Sequence, residues 1–466
     1  MTLSFCAKLS RSRLRTAAGR MTIAWLAALG LTLGLASSGG AVGTGVLEQL
    51  SGINGTDGCV SKDGTAGQCG VQPALTAPQS VAVSPDGKHV YVAGSGSSSN
   101  LLIFTRNKAG HNLSKGALIT AGTIDAGSGP RTAIVSPDGK HVYVTSNNGL
   151  FFFSRNSRTG ALTSIGCVSK TQNTCTTPIV LQLNGPEGLA ITKDGKHVYV
   201  AARGLQGVLA FSRDKISGVL APIAPAGCTS EGGAADGCNA GVGLKGATDV
   251  SVSPDGAHVY VTADGSDAVT IFKRNKANGM LTQLAGVDGC WSQNGKDGAI
   301  GAVVCNDGRG LNGANGIVTT VDGKFVYVTS STSNAIAIFA RDKKTGKLTQ
   351  PDSPAGCVSQ DGKDGNTASV CTAADVGGLD QVQKVTVSQD GLTLYTTASQ
   401  SDAVSSFTRD TTTGALTQLG CVSSTDTACD TGVATRGAQG IAITKDGKNV
   451  YTTAPQDNAV DAFARK

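Results

Sequence analysis

Aromatic residues make up only 4% of this 466-residue chain, with two Trp, and there are three Met and five His. So thin a set argues against a stacking platform of the kind that binds sugars. No pair among the 13 cysteines has the two-residue spacing of a zinc knuckle, and His does not accompany them, which removes the usual zinc ligand sets. Helical periodicity is almost missing. The one long apolar run, Met21 to Ala36, is short for a membrane span, and no second one follows. Five basic residues (Lys8, Arg11, Arg13, Arg15, Arg20) precede that run, small residues follow it, and no lipobox cysteine is present. This reads as a secretory signal and short linker over 1–41, with an uncleaved anchor as the alternative. The leader holds five of the 39 basic residues and none of the 33 acids, so the rest of the chain is nearly neutral. Charge therefore gives no case for nucleic acid, and no membrane span is expected in the mature chain.

What the chain has is a repeat. All seven tyrosines (Tyr91, Tyr143, Tyr199, Tyr260, Tyr327, Tyr395, Tyr451) follow an Asp-Gly pair by four or five residues, in segments such as Ser-Pro-Asp-Gly-Lys-His-Val-Tyr-Val at Ser84 to Val92. Phe104, Phe153, Phe211, Phe272, Phe339, Phe407 and Phe463 form a second register, each with Arg two residues later. Repetition at several tens of residues means a solenoid, propeller or array. In the fourth copy the pattern predicts strands at Asp249 to Ser253, Ala257 to Ala263, Ala268 to Lys273 and Met280 to Leu284. A two-residue type I′ turn is expected at Asp255-Gly256. Four antiparallel strands per unit, seven times, give an all-β, seven-bladed β-propeller.

The last repeat stops at Lys466, one strand short. Gly45 to Leu50 matches Gly414 to Leu419, so the N-terminal strand is expected to complete the last blade. Closure removes exposed edges, and 42–466 becomes a single domain.

Once Cys6 is set aside, twelve cysteines fall into six close pairs: Cys59 and Cys69, Cys167 and Cys175, Cys228 and Cys238, Cys290 and Cys305, Cys357 and Cys371, Cys421 and Cys429. In an exported chain these read as disulfides, placed in the connections that follow the fourth strands. The connection Lys108 to Pro130 has none. Asp-Gly-rich stretches such as Gln360 to Asn366 resemble pieces of calcium loops but lack the full ligand alternation. No metal and no cofactor are expected.

His89, His141, His197 and His258 share a slot that elsewhere holds Phe325, Thr393 and Asn449, which marks a packing position. His111 lies in a polar connection and reads as a surface residue. Function is better sought where repeats differ. The residues entering the innermost strands are Gln79, Arg131, Glu187, Thr248, Asn315, Gln383 and Gln439, mostly polar and different in each blade. Arg131 and Glu187 belong to adjacent blades, and Arg203 ends the second strand of Glu187's blade. An acid flanked by arginines at a channel mouth could hold and polarise a carboxylate or lactone. The bland alternative is a wet channel mouth simply filled by polar side chains.

The Ser-Pro-Asp-Gly-Lys-His-Val-Tyr-Val repeat resembles that of exported bacterial and archaeal surface propellers of the Tyr-Val-Thr-Asn type. Gly129-Pro130-Arg131, then Ser136-Pro137-Asp138-Gly139 and Tyr143, is similar to the first-strand motif of the lactonase-like propellers, which include 6-phosphogluconolactonase and carboxymuconate lactonizing enzymes. That resemblance implies a seven-bladed ring with Arg, His and Glu at the channel. Arg131 fits; Thr132 stands at the His position and Asn147 at the Glu position. Two functions follow as expectations. One is a lactonase-like hydrolase or lyase acting on a small acid or lactone at the mouth, with Arg131, Glu187 and Arg203 as its residues. The other is a non-catalytic extracellular or cell-surface protein whose variable stapled loops bind a protein partner. A secreted, periplasmic or surface location and a monomer are expected with either.

Overall fold

The computed structural model describes residues 45–50, 58–96, 100–107, 113–119, 129–147, 149–170, 175, 183–223, 227–297, 303–365 and 370–466. The leader and the apolar run lie outside these residues, as does His111.

Each repeat opens with a hairpin that its own side chains fix. In the fourth copy the Gly256 N–H donates to the Ser253 carbonyl at 2.8 Å. Ser253 Oγ donates to Asp255 Oδ1 at 2.6 Å. Gly256 is left-handed, with φ +64°. The turn is thus centred on Pro254-Asp255, not on Asp255-Gly256, and the type I′ expectation is corrected. Proline locks its own φ near −65°, which suits the second turn position and hands the left-handed conformation to the glycine.

The strands of this blade run Ala247–Val252, His258–Ala263 and Ala268–Arg274. The outer strand is split into Leu281–Gln283 and Cys290–Ser292, both paired to the third strand. A fifth, parallel strand, Asn306–Asp307, follows on the outside. Five of the seven sheets carry such a strand among the described residues. All six expected disulfides are present, but their placement is corrected. The Gly-Cys-Val-Ser segment resumes the outer strand, so the first cysteine is a strand residue and the second stands beside the fifth strand where one forms. The bridges pin the edge of the sheet. With sequence separations of 8 to 15, each is worth up to about 3 kcal/mol by chain entropy.

The seven sheets form a ring. Each innermost strand lies against the next, and the last, Ile441–Ile443, lies against the first, Pro78–Val83. Closure follows the sequence match. Leu47–Gln49 pairs antiparallel with Phe463 to Arg465, and Cys59–Ser61 pairs with the start of that same strand. Gln49 does more than pair. Its amide donates to Val433 O at 2.8 Å and its carbonyl accepts Val433 N–H at 2.7 Å. Gln283, Gln350 and Gln418 hold Val242, Arg309 and the Val376–Gly377 segment in the same way. The N-terminal strand therefore performs every task of an outer strand.

The repeated Tyr and Arg join blades rather than filling their own. All seven tyrosines are fully buried. Arg213 of the third blade donates its Nε–H to Tyr143 Oη of the second at 2.6 Å and pairs with Asp138 at 2.9 Å. It also lies 2.7 Å from His141 Nδ1. Tyr143 in turn donates its hydroxyl to Gly218 O at 2.8 Å. Arg155, Arg274 and Arg341 meet Tyr91, Tyr199 and Tyr260 alike. The variable His slot is always the place that this arginine faces. Phe325 offers its ring to Arg409 at 5.5 Å, Thr393 its hydroxyl to Arg465, and Asn449 its carbonyl to Arg106. A ring face, a hydroxyl and an amide oxygen can each receive a guanidinium, so the slot tolerates all four residue types.

One residue breaks this economy. Asp461, opposite Cys59 in the closing blade, is fully buried, and its bonds to Gln49 and Thr452 are long, at 3.3 and 3.5 Å. Burial first, then Asp457, pushes its carboxyl well above the ordinary range. The equivalent slot in the sixth blade holds Ser405, which donates to Gly378 O at 2.9 Å. A raised carboxyl costs nothing below its unfolded value near pH 4 and costs more as pH climbs toward the folded value. Asp461→Ser is therefore expected to stabilise the protein by about 1–3 kcal/mol at pH 7 and little at pH 4. Thermal unfolding at the two pH values checks this; a variant less stable at pH 7 contradicts it.

Candidate functional site at the channel mouth

The innermost strands converge on a cavity of about 120 Å³. Its walls include all seven strand-entry residues, Gln79, Arg131, Glu187, Thr248, Asn315, Gln383 and Gln439, together with Thr132 and Lys384. Local chemistry sets them there. Thr145, the Thr of Tyr-Val-Thr in the second blade, donates its hydroxyl to the Glu187 carbonyl of the third at 2.8 Å. Thr262 and Thr329 do the same for Asn315 and Gln383. A second tie comes from left-handed Asp or Asn residues in the next turn. Asp267 and Asn334 accept the Gly313 and Gln381 N–H groups that lead into the following inner strands. The next position along these strands brings neighbouring blades into contact. A Cβ on Gly188 would lie 2.6 Å from Asp249 Cα.

Arg131 is held by a 2.6 Å bond from its Nε–H to Asn147 Oδ1 and stands 3.4 Å from Glu187 Oε1. Asn147, at the position where the lactonase-like pattern has Glu, thus orients the arginine. The Glu187 side chain is 20% exposed. Burial raises its carboxyl above the ordinary range, against the pull of Arg131, Arg203 and Lys384. Arg203 does not pair with Glu187. Its guanidinium is half exposed and bonded to Asp264 at 2.7 Å, so it acts on Glu187 only through space. It does not line the cavity.

Sequence reasoning passed over Lys384 and Asp249. They come from the sixth and fourth blades and meet across the channel at 2.8 Å. They occupy the slot after the strand-entry position, filled elsewhere by Ser80, Thr132, Gly188, Gly316 and Gly440. Two charges among small residues were the available signal. Lys384 lines the mouth, and both residues line the adjoining space. Two further features belong to the wall of the mouth. Asn315 donates to Gln383 at 2.7 Å, and Gln439 Oε1 is buried without a hydrogen-bond partner. The arrangement offers a partly exposed guanidinium and, beside it, a carboxyl whose proton affinity burial raises, in a space that fits a small ring. Among the described residues no cluster of three or more His, Cys, Asp or Glu could hold a metal ion, and no helix is long and apolar enough to cross a membrane.

The chain is similar to known proteins along much of its length. It is 32% identical over 102 residues to a 6-phosphogluconolactonase of Formosa agariphila, a stretch covering 22% of this chain and 23% of that relative. The match thus spans about a quarter of the relative's length. Among solved structures, a Bacteroides fragilis protein named as a candidate 6-phosphogluconolactonase shares 19% identity, with 81% and 90% of the two chains covered and a TM-score of 0.53. The periplasmic gluconolactonase of Pseudomonas aeruginosa shares 17% identity over 74% and 85%, with a TM-score of 0.50. At these identities the structures speak for the fold alone. The sequence model of the lactonase, 7-bladed beta-propeller family matches residues 38–287, more than half of the chain, and the chain belongs to that family.

Proposed function

We propose that this chain is an exported propeller that opens a small lactone, or binds the corresponding hydroxy acid, at its channel mouth. The observation that carries the reading is the Arg131–Glu187 pair in a cavity walled by all seven repeat-breaking residues. Family membership, and a relative named as a 6-phosphogluconolactonase, support a lactone as the substrate class. Six disulfides and the basic leader before Met21 support export.

The chemistry assigns the residues as follows. The Arg131 guanidinium anchors the carbonyl or a carboxylate and stabilises the oxyanion that forms there. Glu187 takes a proton from water as the new C–O bond forms at the acyl carbon. The ring C–O bond then breaks, and the alkoxide takes the proton back from Glu187. Arg203 is held at the rim by its pair with Asp264 and acts on Glu187 through space.

The test is turnover of a panel of γ- and δ-lactones by secreted protein. Arg131→Ala and Glu187→Gln are each expected to lose 10²-fold or more in kcat/KM, about 2.7 kcal/mol, with unfolding temperatures unchanged. Because the Glu187 carboxyl is raised, the rising limb of the pH–rate profile should lie above the ordinary glutamate range. No turnover on any lactone, or variants as active as the parent, would move the assignment to a non-catalytic protein that binds its partner through the stapled loops.

A further inference from the structure

Away from the mouth, three stapled loops carry one slot in two chemical versions, an acid once and an amide twice. Glu231, Gln293 and Gln360 each directly follow the Ser that ends the outer strand. Each accepts, through its Oε1, the N–H of the leucine that approaches the next blade: Leu244 at 2.6 Å, Leu311 at 2.7 Å and Leu379 at 2.7 Å. In the fourth blade the other end of the side chain matters as well. Gln293 Nε2 donates to Asp364 Oδ2 at 2.7 Å, tying the fourth blade's loop to the fifth's. Asp297 is the counterpart of Asp364 one blade earlier, in the matching Gly-Lys-Asp-Gly segment. Facing it is Glu231, an acid where the neighbouring copy has an amide.

Two facing carboxyls can bond only if one keeps a proton. The charged groups around them decide which. Lys245 Nζ pairs with Asp297 Oδ2 at 2.8 Å, and Ser266 Oγ donates to Asp297 Oδ1 at 2.5 Å. Both hold Asp297 as the carboxylate, and its acidity is strengthened despite burial. At the slot of Lys245 the neighbouring copy has Asn312, consistent with an amide–carboxylate pair that needs no balancing cation. Asp236, the other acid of this loop, is engaged by Ser230 Oγ at 2.6 Å.

We propose that Glu231 and Asp297 form a proton-dependent clamp between the stapled loops of the third and fourth blades, closed when Glu231 is protonated and released when it ionises. Burial first, then Asp297, pushes the Glu231 carboxyl up to about 7. An acid raised on folding gives stability that is full below its unfolded value and is lost as pH rises through the folded one. The clamp therefore holds in mildly acidic surroundings and opens above neutrality. It adjoins the channel face, because Lys245 and Gly246 lead directly into Thr248 at the mouth, and Asp264, the partner of Arg203, donates its N–H to Gly246 O.

Hydrogen exchange of the full chain reads the clamp directly. After correction for intrinsic exchange, protection of the Cys305 amide, which bonds Gly295 O in the loop that carries Asp297, should fall about tenfold between pH 6 and pH 8.5 in the parent. In Glu231→Gln, which copies Gln293, it should change less than about twofold. Asp297→Asn, which removes the like charge, should also flatten the dependence. A parent with constant protection overturns the proposal, as does a Glu231→Gln variant that keeps the full pH dependence.

Discussion

Arg213→Met is expected to lower folding stability by about 3–5 kcal/mol, because the guanidinium is fully buried and every partner it leaves is polar. Tyr143 Oη, His141 Nδ1 and Asp138 all lose their bond at once. Tyr143→Phe removes one hydroxyl from the same set and should cost about 1–3 kcal/mol. Arg436→Met is the control: its ion pair with Asp457 is half exposed at the arginine, and the change should stay within about 1 kcal/mol. The latch also predicts acid sensitivity. Burial tends to raise Asp138, but Ser136 and Arg213 outweigh it and hold its carboxyl at about 2. A depressed acid contributes stability above its unfolded value near 4, and that stability is lost as pH falls toward 2. Denaturant unfolding at pH 7 and pH 3 checks both claims. Equal losses for Arg213→Met and Arg436→Met would refute the latch.

Removing the chain up to residue 53 is expected to cost the protein its solubility. The deletion takes away Leu47–Gln49 and leaves Phe463 to Arg465 as an unpaired edge. It also strips Val433 of its two bonds to Gln49, and Lys466 of its bond to Val46 O. Leu47, which packs with Tyr395, Val450 and Phe463, goes with it. An open, apolar edge is a template for pairing with another copy. Against a parent beginning at residue 42, the truncated chain should aggregate on expression. Gln49→Ala, which keeps the strand, should remain soluble and lose about 1–3 kcal/mol. A truncated monomer as stable as the parent would show that Cys59–Ser61 closes the ring unaided.

Much of this architecture was legible in the sequence, since a ring of repeats writes its rules seven times. The slots of Tyr143, Phe153 and Arg155, the Gly45 to Leu50 match and the close cysteine spacing each reported local geometry. What was not legible depends on contacts between copies. Arg213 and Asp138 are 75 residues apart, and no periodicity reveals that an arginine serves the blade before its own. Fifth strands of two residues, such as Asn239–Ala240, are too short to show a period. At the mouth, the strand-entry residues could be read because they break the repeat. Lys384 and Asp249 break it too, but one position deeper, and their meeting across the channel needs the closed ring. Arg203 does not line the mouth, and its ion pair is with Asp264, a residue of the next blade.

The decisive measurement is a crystal structure of the protein soaked with the hydroxy acids that correspond to the lactone panel. The predicted result is a carboxylate within about 3 Å of the Arg131 guanidinium, displacing Glu187. A mouth with the Arg131–Glu187 pair intact, and the acid bound elsewhere on the stapled loops, would contradict it.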